Sequence, residues 1–211
     1  MQDASLVLTG PIRAVMLRDP VIFEVDLKVK GAIESEDKGL SFLAARFRST
    51  AFTPDSFLIK ESYTSKLSTL EFTLAHMVYS VEATISVKVI EGSWRDDCHG
   101  QFVARTASIK DEEVVLLGFG DVKVPFDSDE ISLSRSVVSV DSEGQLTVSV
   151  KTRQVDKAKV EAADDQDVFA PVEDHAVFYP LKSSRGRAEL NVGFCKMEVI
   201  VAWSLFGAHL T

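Results

Sequence analysis

Side chains able to do chemistry are sparse in this chain, and their densest group is Trp94-Arg95-Asp96-Asp97-Cys98-His99. Thiolate, imidazole and carboxylate are all metal ligands. A zinc site needs three or four of them at suitable spacing, and no second Cys-His cluster answers this one. The stretch therefore reads as a polar loop rather than a metal centre. It is also the candidate binding site. Trp94 offers an aromatic face, and Arg95, Asp96, Asp97 and His99 offer charge and hydrogen-bonding groups.

Acidic loops are the other source of ligands. Asp127, Asp129 and Glu130 form one, Asp141 and Glu143 a second, and Asp164, Asp165 and Asp167 a third. Calcium takes about six to eight oxygens, so several such loops would have to converge. Nothing in the spacing brings them together, and solvated turns in an acidic protein are the expectation. No metal and no other cofactor is expected.

Nucleophilic catalysis has no foothold. Gly-X-Ser-X-Gly is absent, and neither cysteine has a papain-like context. His76 shares a strand phase with Leu70, Phe72 and Leu74, which suits a packed histidine; His99 and His175 are expected in loops and His209 in a tail. Gly118-Phe119-Gly120 is too short to cradle a phosphate. Lys182, Arg185 and Arg187, with Ser183 and Ser184, form a small basic patch, which suits an anionic partner or a solubilising turn equally. The chain is expected not to be an enzyme.

The elements that must position these residues are strands. In Val-Ile-Phe-Glu-Val-Asp-Leu-Lys-Val-Lys-Gly, residues 21–31, Phe23, Val25, Leu27 and Val29 alternate with Glu24, Asp26, Lys28 and Lys30. Period two with apolar residues on one side and charges on the other is a half-buried strand. Residues 40–47 are apolar on both faces except Arg46 and suggest a buried strand. The apolar phase runs on even numbers over 70–76 and on odd numbers over 81–89, so a turn or bulge must lie near residues 77–80. Residues 92–100 read as a loop and 110–113 as a charged turn. Residues 132–140 and 145–151 read as a hairpin around Asp141-Ser142-Glu143-Gly144. In the last strand Met197, Val199, Val201, Trp203 and Leu205 share a face. Ile200 and Ala202 make the other face apolar too, as in a central strand.

These signals predict an all-β fold: one antiparallel β-sandwich domain over residues 1–211, of about ten to twelve strands, with little helix. The strands at 23–29 and 197–205 are expected near its centre. There is no Gly- or Pro-rich linker, solenoid repeat or low-complexity tract.

Composition narrows the partners. The chain has 211 residues and a formal net charge of −9, which repels phosphate backbones and anionic lipid, so neither nucleic acid nor membrane is an expected partner. Two cysteines, Cys98 and Cys195, make no disulfide framework. The only asparagine, Asn191, is followed by Val192-Gly193 and is no glycosylation acceptor. The first residues lack the basic and apolar regions of a signal peptide, so the expected compartment is the cytosol or nucleus.

Several stretches carry a resemblance. They are Leu8-Thr9-Gly10-Pro11-Ile12-Arg13-Ala14-Val15, Asp19-Pro20-Val21, residues 23–31, Glu36-Asp37 and Leu40-Ser41. Residues 81–85 and 87–92 join them, with Lys196-Met197-Glu198-Val199 and Ala202-Trp203-Ser204 at the last strand. Together these resemble a domain-of-unknown-function family expanded in grasses, some members of which are joined to ribosome-inactivating N-glycosylase domains. The resemblance covers nearly the whole chain and implies no activity. The Glu161-Ala-Ala run has Asp164 where an N-glycosylase site would need arginine.

The functional expectation is a non-catalytic module that binds an unknown protein or glycan, in plant defence or stress response as the resemblance suggests. A carbohydrate-binding module is the alternative, with Trp94, Tyr63, Tyr79 and Tyr179 as its candidate aromatics; a hydrolase is more distant.

Overall fold

The computed structural model describes residues 13–16, 20–48, 54–95, 97–120, 124–154 and 172–205. Among them are fourteen strands, a single 3-10 turn at Glu34–Glu36 and no α-helix. The fold is all-β and sandwich-like, and every strand pairing in it is antiparallel. No helix among the described residues is long and apolar enough to cross a membrane. The described residues fall into two compact units, those within Met1–Ala14 and Tyr79–Thr211 and those within Val15–Val78.

The smaller unit is two hairpins. Strand β1 (Val21–Val29) pairs with β2 (Lys38–Phe47), and β3 (Phe57–Thr64) with β4 (Thr69–His76). Alternation holds over residues 23–28, whereas Val29, expected on the inward face, is exposed. Phe23, Val25 and Leu27 turn inward and Glu24, Asp26 and Lys28 outward. Phe23 meets Phe72 with ring centroids 5.8 Å apart, and Ser68 Oγ donates to the Leu40 carbonyl at 3.2 Å, so the hairpins pack on each other. Gly31 sits where a Cβ would lie 2.6 Å from that of Glu36, and its N–H donates to Asp37 Oδ1 at 2.8 Å. Only a residue without a side chain fits that approach.

Two expectations fail in this unit. β1 pairs only with β2 among the described residues and is not a central strand of the sandwich. β2 is not buried on both faces: Phe42 is 85% exposed. A two-stranded sheet has one partner layer, so apolar residues of the outer face stay in water whatever their hydrophobicity.

The larger unit supplies β5 (Ser80–Gly92), β6 (Cys98–Thr106), β7 (Ile109–Phe119), β8 (Phe126–Asp127), β9 (Glu130–Ile131), β10 (Val137–Asp141), β11 (Leu146–Gln154), β12 (Val172–Phe178), β13 (Ser184–Asn191) and β14 (Cys195–Leu205). One sheet runs β13-β14-β5-β9-β8 with β10 also on β5, and the other runs β12-β11-β6-β7. The dry faces of both sheets merge in one core, including Ile85, Val87, Phe102, Leu146, Met197 and Val199. β14 lies between β13 and β5, a central place as expected, and Trp203 on its dry face is 5% exposed. The phase change before β5 is a turn in which Tyr79 takes φ 49°.

Residues 137–141 and 146–154 are both strands but not a hairpin: β10 pairs with β5, whereas β11 pairs with β6 and β12. The tight turn is real, since Gly144 N–H donates to the Asp141 carbonyl at 3.0 Å and Glu143 N–H to Asp141 Oδ1 at 3.0 Å. It carries the chain from one sheet to the other. Residues 110–113 are likewise strand rather than turn, inside β7. Glu113 is tolerated there because Lys151 and Arg105 on neighbouring strands pair with it.

Candidate functional site

The loop between β5 and β6 starts at Gly92, whose φ of +77° and approach to the Phe194 carbonyl, 2.3 Å from an ideal Cβ, admit no side chain. That kink aims Trp94 inward. Its ring meets Phe102, Phe119 and Phe194 at centroid distances of 5.9, 4.8 and 5.5 Å, the last two edge-on. Trp94 is therefore an aromatic plug packed on the core, and its indole N–H is buried with no hydrogen-bond acceptor among the described residues.

The neighbours of Trp94 are polar and partly paired. Arg95 grips Asp97 with two hydrogen bonds, Nε to Oδ1 at 3.0 Å and Nη2 to Oδ2 at 2.8 Å. The hydrogen bond and then the charge of Asp97 raise the Arg95 pKa above its ordinary value. Cys98 is buried, with its Sγ 3.9 Å from Asp97 Oδ1. Desolvation, with the Asp97 charge added, pushes the Cys98 thiol up, which keeps it protonated and a poor nucleophile. His99 is half-buried within β6 instead of a loop, and His175 lies in β12. Asp96 and His209 fall outside the described residues. The structure thus brings Arg95, Asp97 and Cys98 together and packs a half-buried Trp94 against the core.

Among the described residues no three or more His, Cys, Asp or Glu side chains converge as a metal site. Asp129 pairs with Lys88 at 2.7 Å, and that hydrogen bond holds its carboxyl below the usual range. Asp141 serves its turn, also accepting from Ser108 Oγ at 3.3 Å. Asp164, Asp165 and Asp167 fall outside the described residues. Cys195 is buried and free, its thiol pushed up by burial.

Of the other aromatic candidates, Tyr63 is half-buried and donates to Glu61; that bond, with some desolvation, raises its pKa. His76 packs edge-on against Phe57 at 5.1 Å, as a packed histidine should. Tyr79 and Tyr179 stand in solvent.

Sequence reasoning missed three features. Phe42 stands exposed in mid-strand, opposite Asp26, with exposed Ile22 on the same face opposite Arg46. Only the pairing, which shows that the hairpin lacks an outer layer, exposes it. Glu82 on β5 is buried, accepting from Ala14 N–H at 2.9 Å and Ser204 Oγ at 3.1 Å, with Arg13 Nε 3.5 Å away. Its lone pairs are spent on holding chain segments together. The basic patch at Lys182 continues into exposed Tyr179 and Leu181, an apolar flank that the charges alone did not announce.

A family model described as Domain of unknown function (DUF6598) matches residues 1–201. No curated protein and no solved structure matches the chain.

Proposed function

Because the chain belongs to the DUF6598 family, a description that assigns no chemistry, we propose a function from its surface: a non-catalytic interaction module that binds a partner protein. The observation that carries this reading is Phe42. It is 85% exposed in the middle of a regular strand. Fully burying such a side chain yields about 1.5–3 kcal/mol. An exposed aromatic anchor opposite Asp26, with Ile22 and Arg46 further along the same face, is the kind of surface that concentrates binding energy in protein interfaces. The setting we propose, defence or stress response in the cytosol or nucleus of a grass cell, rests on the family resemblance and on the cysteine usage.

Capture from cereal tissue with the wild-type chain and with Phe42→Ser tests the reading. Proteins retained by the wild type and lost by the variant support it. Identical capture by both overturns the role of Phe42. Exposed Tyr79 and Tyr179 favour a second reading, sugar stacking. A glycan array signal abolished by Tyr179→Ala would move the module to the lectins, and turnover on an ester and glycoside panel would overturn both readings.

A further inference from the structure

The exposed edge of β13 combines open backbone groups with unpaired positive charge. Asn191 N–H donates to Asp174 Oδ2 at 2.7 Å, so it points away from β14. Val192 N–H, one residue on, donates to the Cys195 carbonyl at 3.1 Å and points toward β14. Backbone groups alternate in direction along a strand, so those of Arg185, Arg187 and Glu189 share the outward direction of Asn191. β13 is the last strand of its sheet among the described residues; Asp174 caps its Asn191 end, and Phe178 of β12 packs on the face of Gly186, the position between Arg185 and Arg187.

Charge sorts the two ends. At the Asn191 end Glu189 is paired with Lys196 at 2.6 Å. At the other end Lys182 and Arg185 are exposed and have no carboxylate partner among the described residues, and Arg187 reaches Glu198 only at 3.6 Å. Tyr179 (68% exposed) and Leu181 (47%) add apolar surface beside them. In a chain of net charge −9, Lys182 and Arg185 run against the overall field.

We propose, building on the interaction-module reading, that β13 accepts an extended acidic peptide of a partner protein as an added strand. The outward N–H and C=O groups of Arg185 and Arg187 would bond its backbone. Lys182 and Arg185 would meet its carboxylates, and Tyr179 and Leu181 would take an apolar side chain. Edge addition of this kind draws affinity from main-chain hydrogen bonds and specificity from alternate side chains.

The test is fluorescence polarisation with a labelled peptide of about ten residues alternating glutamate with valine. Expected are binding that weakens with salt, a loss of about tenfold or more in the double variant Lys182→Glu, Arg185→Glu, and a comparable loss when alternate peptide nitrogens are N-methylated. A thermal melt of the double variant accompanies the titration, and Arg185→Gln, with a smaller loss, provides a milder second variant. No binding by the wild type, equal binding by the charge variants, or equal binding of the N-methylated peptide would each overturn the proposal. So would preference for a single-stranded oligonucleotide over the peptide. These outcomes leave the module reading standing if tissue capture still depends on Phe42. Failure of tissue capture with intact peptide binding would instead overturn Phe42 and keep the edge.

Discussion

In the larger unit Met197, Val199 and Val201 on β14 lose all contact with water, whereas Phe23, Val25 and Leu27 on β1 of the smaller unit all keep part of theirs. Both strands alternate, although the outer face of β1 carries charges and that of β14 also carries Ile200 and Ala202. What differs is the number of layers and neighbours: β14 has a strand on each side and a four-stranded sheet contributing to the same core, and β1 has a single paired neighbour within a two-stranded sheet. Alternation thus fixes which face is dry, and the size of the opposing layer fixes how dry it becomes.

The largest effect that bears on this contrast is in the aromatic core of the larger unit. Trp203→Ala should cost about 3–5 kcal/mol in a denaturant melt. Trp94→Ala, from an apparent loop, should cost about 3 kcal/mol because three phenylalanine rings lose their partner. A loss under about 1 kcal/mol at Trp94 would separate that loop from the core. Next, Phe72→Ala removes the ring that Phe23 and Tyr63 both touch. A loss of about 2 kcal/mol is expected, and amide exchange should accelerate over residues 20–78 more than over 80–205. Uniform acceleration would mean that the two units melt together.

A smaller effect depends on pH. Burial pushes the Glu113 carboxyl up, but the hydrogen bond and charge of Lys151, with those of Arg105, outweigh it and hold the pKa below its ordinary value. A lowered folded value gives stability that is present above the unfolded value of about 4.3 and lost as pH falls through the folded one. The stability difference between the wild type and Glu113→Gln should therefore be flat near neutrality, below about 1 kcal/mol, and vanish in acid. A difference that grew in acid would reverse the assignment. Smallest is Phe42→Ser, which should shift stability by no more than about 0.5 kcal/mol. A larger destabilisation would show that the ring is packed after all and end its role as an anchor.

Strand positions were legible because period-two alternation is local. Residues 23–29, 81–89 and 197–205 carry it, and the phase slip near Tyr79 announced a turn. Partnership was not legible. Asp141-Ser142-Glu143-Gly144 specifies a reversal of direction, and the same reversal serves a hairpin or a crossing between sheets. The choice lies in whether Val138 and Val140 find β5, which is remote in sequence. β1 was expected at the centre for the same reason, since a strand does not encode how many neighbours it will have. In the candidate site, Arg95 and Asp97 were visible as charges. The inward turn of Trp94 depends on Gly92 approaching Phe194, a contact between residues about a hundred apart.

The Glu82–Ser204 hydrogen bond joins residues 122 positions apart, and β5 and β14 lie side by side along their whole register. That pairing sets an order for biosynthesis. The hairpins of the smaller unit close on neighbouring residues and can form while the chain is still emerging. β5, the longest strand of the sheet, must wait for β14, which leaves the ribosome after every other strand described here. Until then the edge of β5 that β14 will pair stays without a partner strand, the kind of nascent surface that chaperones cover and that aggregates when they do not. Loss of the chain beyond Asn191 would leave that edge permanently unpaired. Insolubility is then the expected fate of such a product, even though most of its strands would be intact.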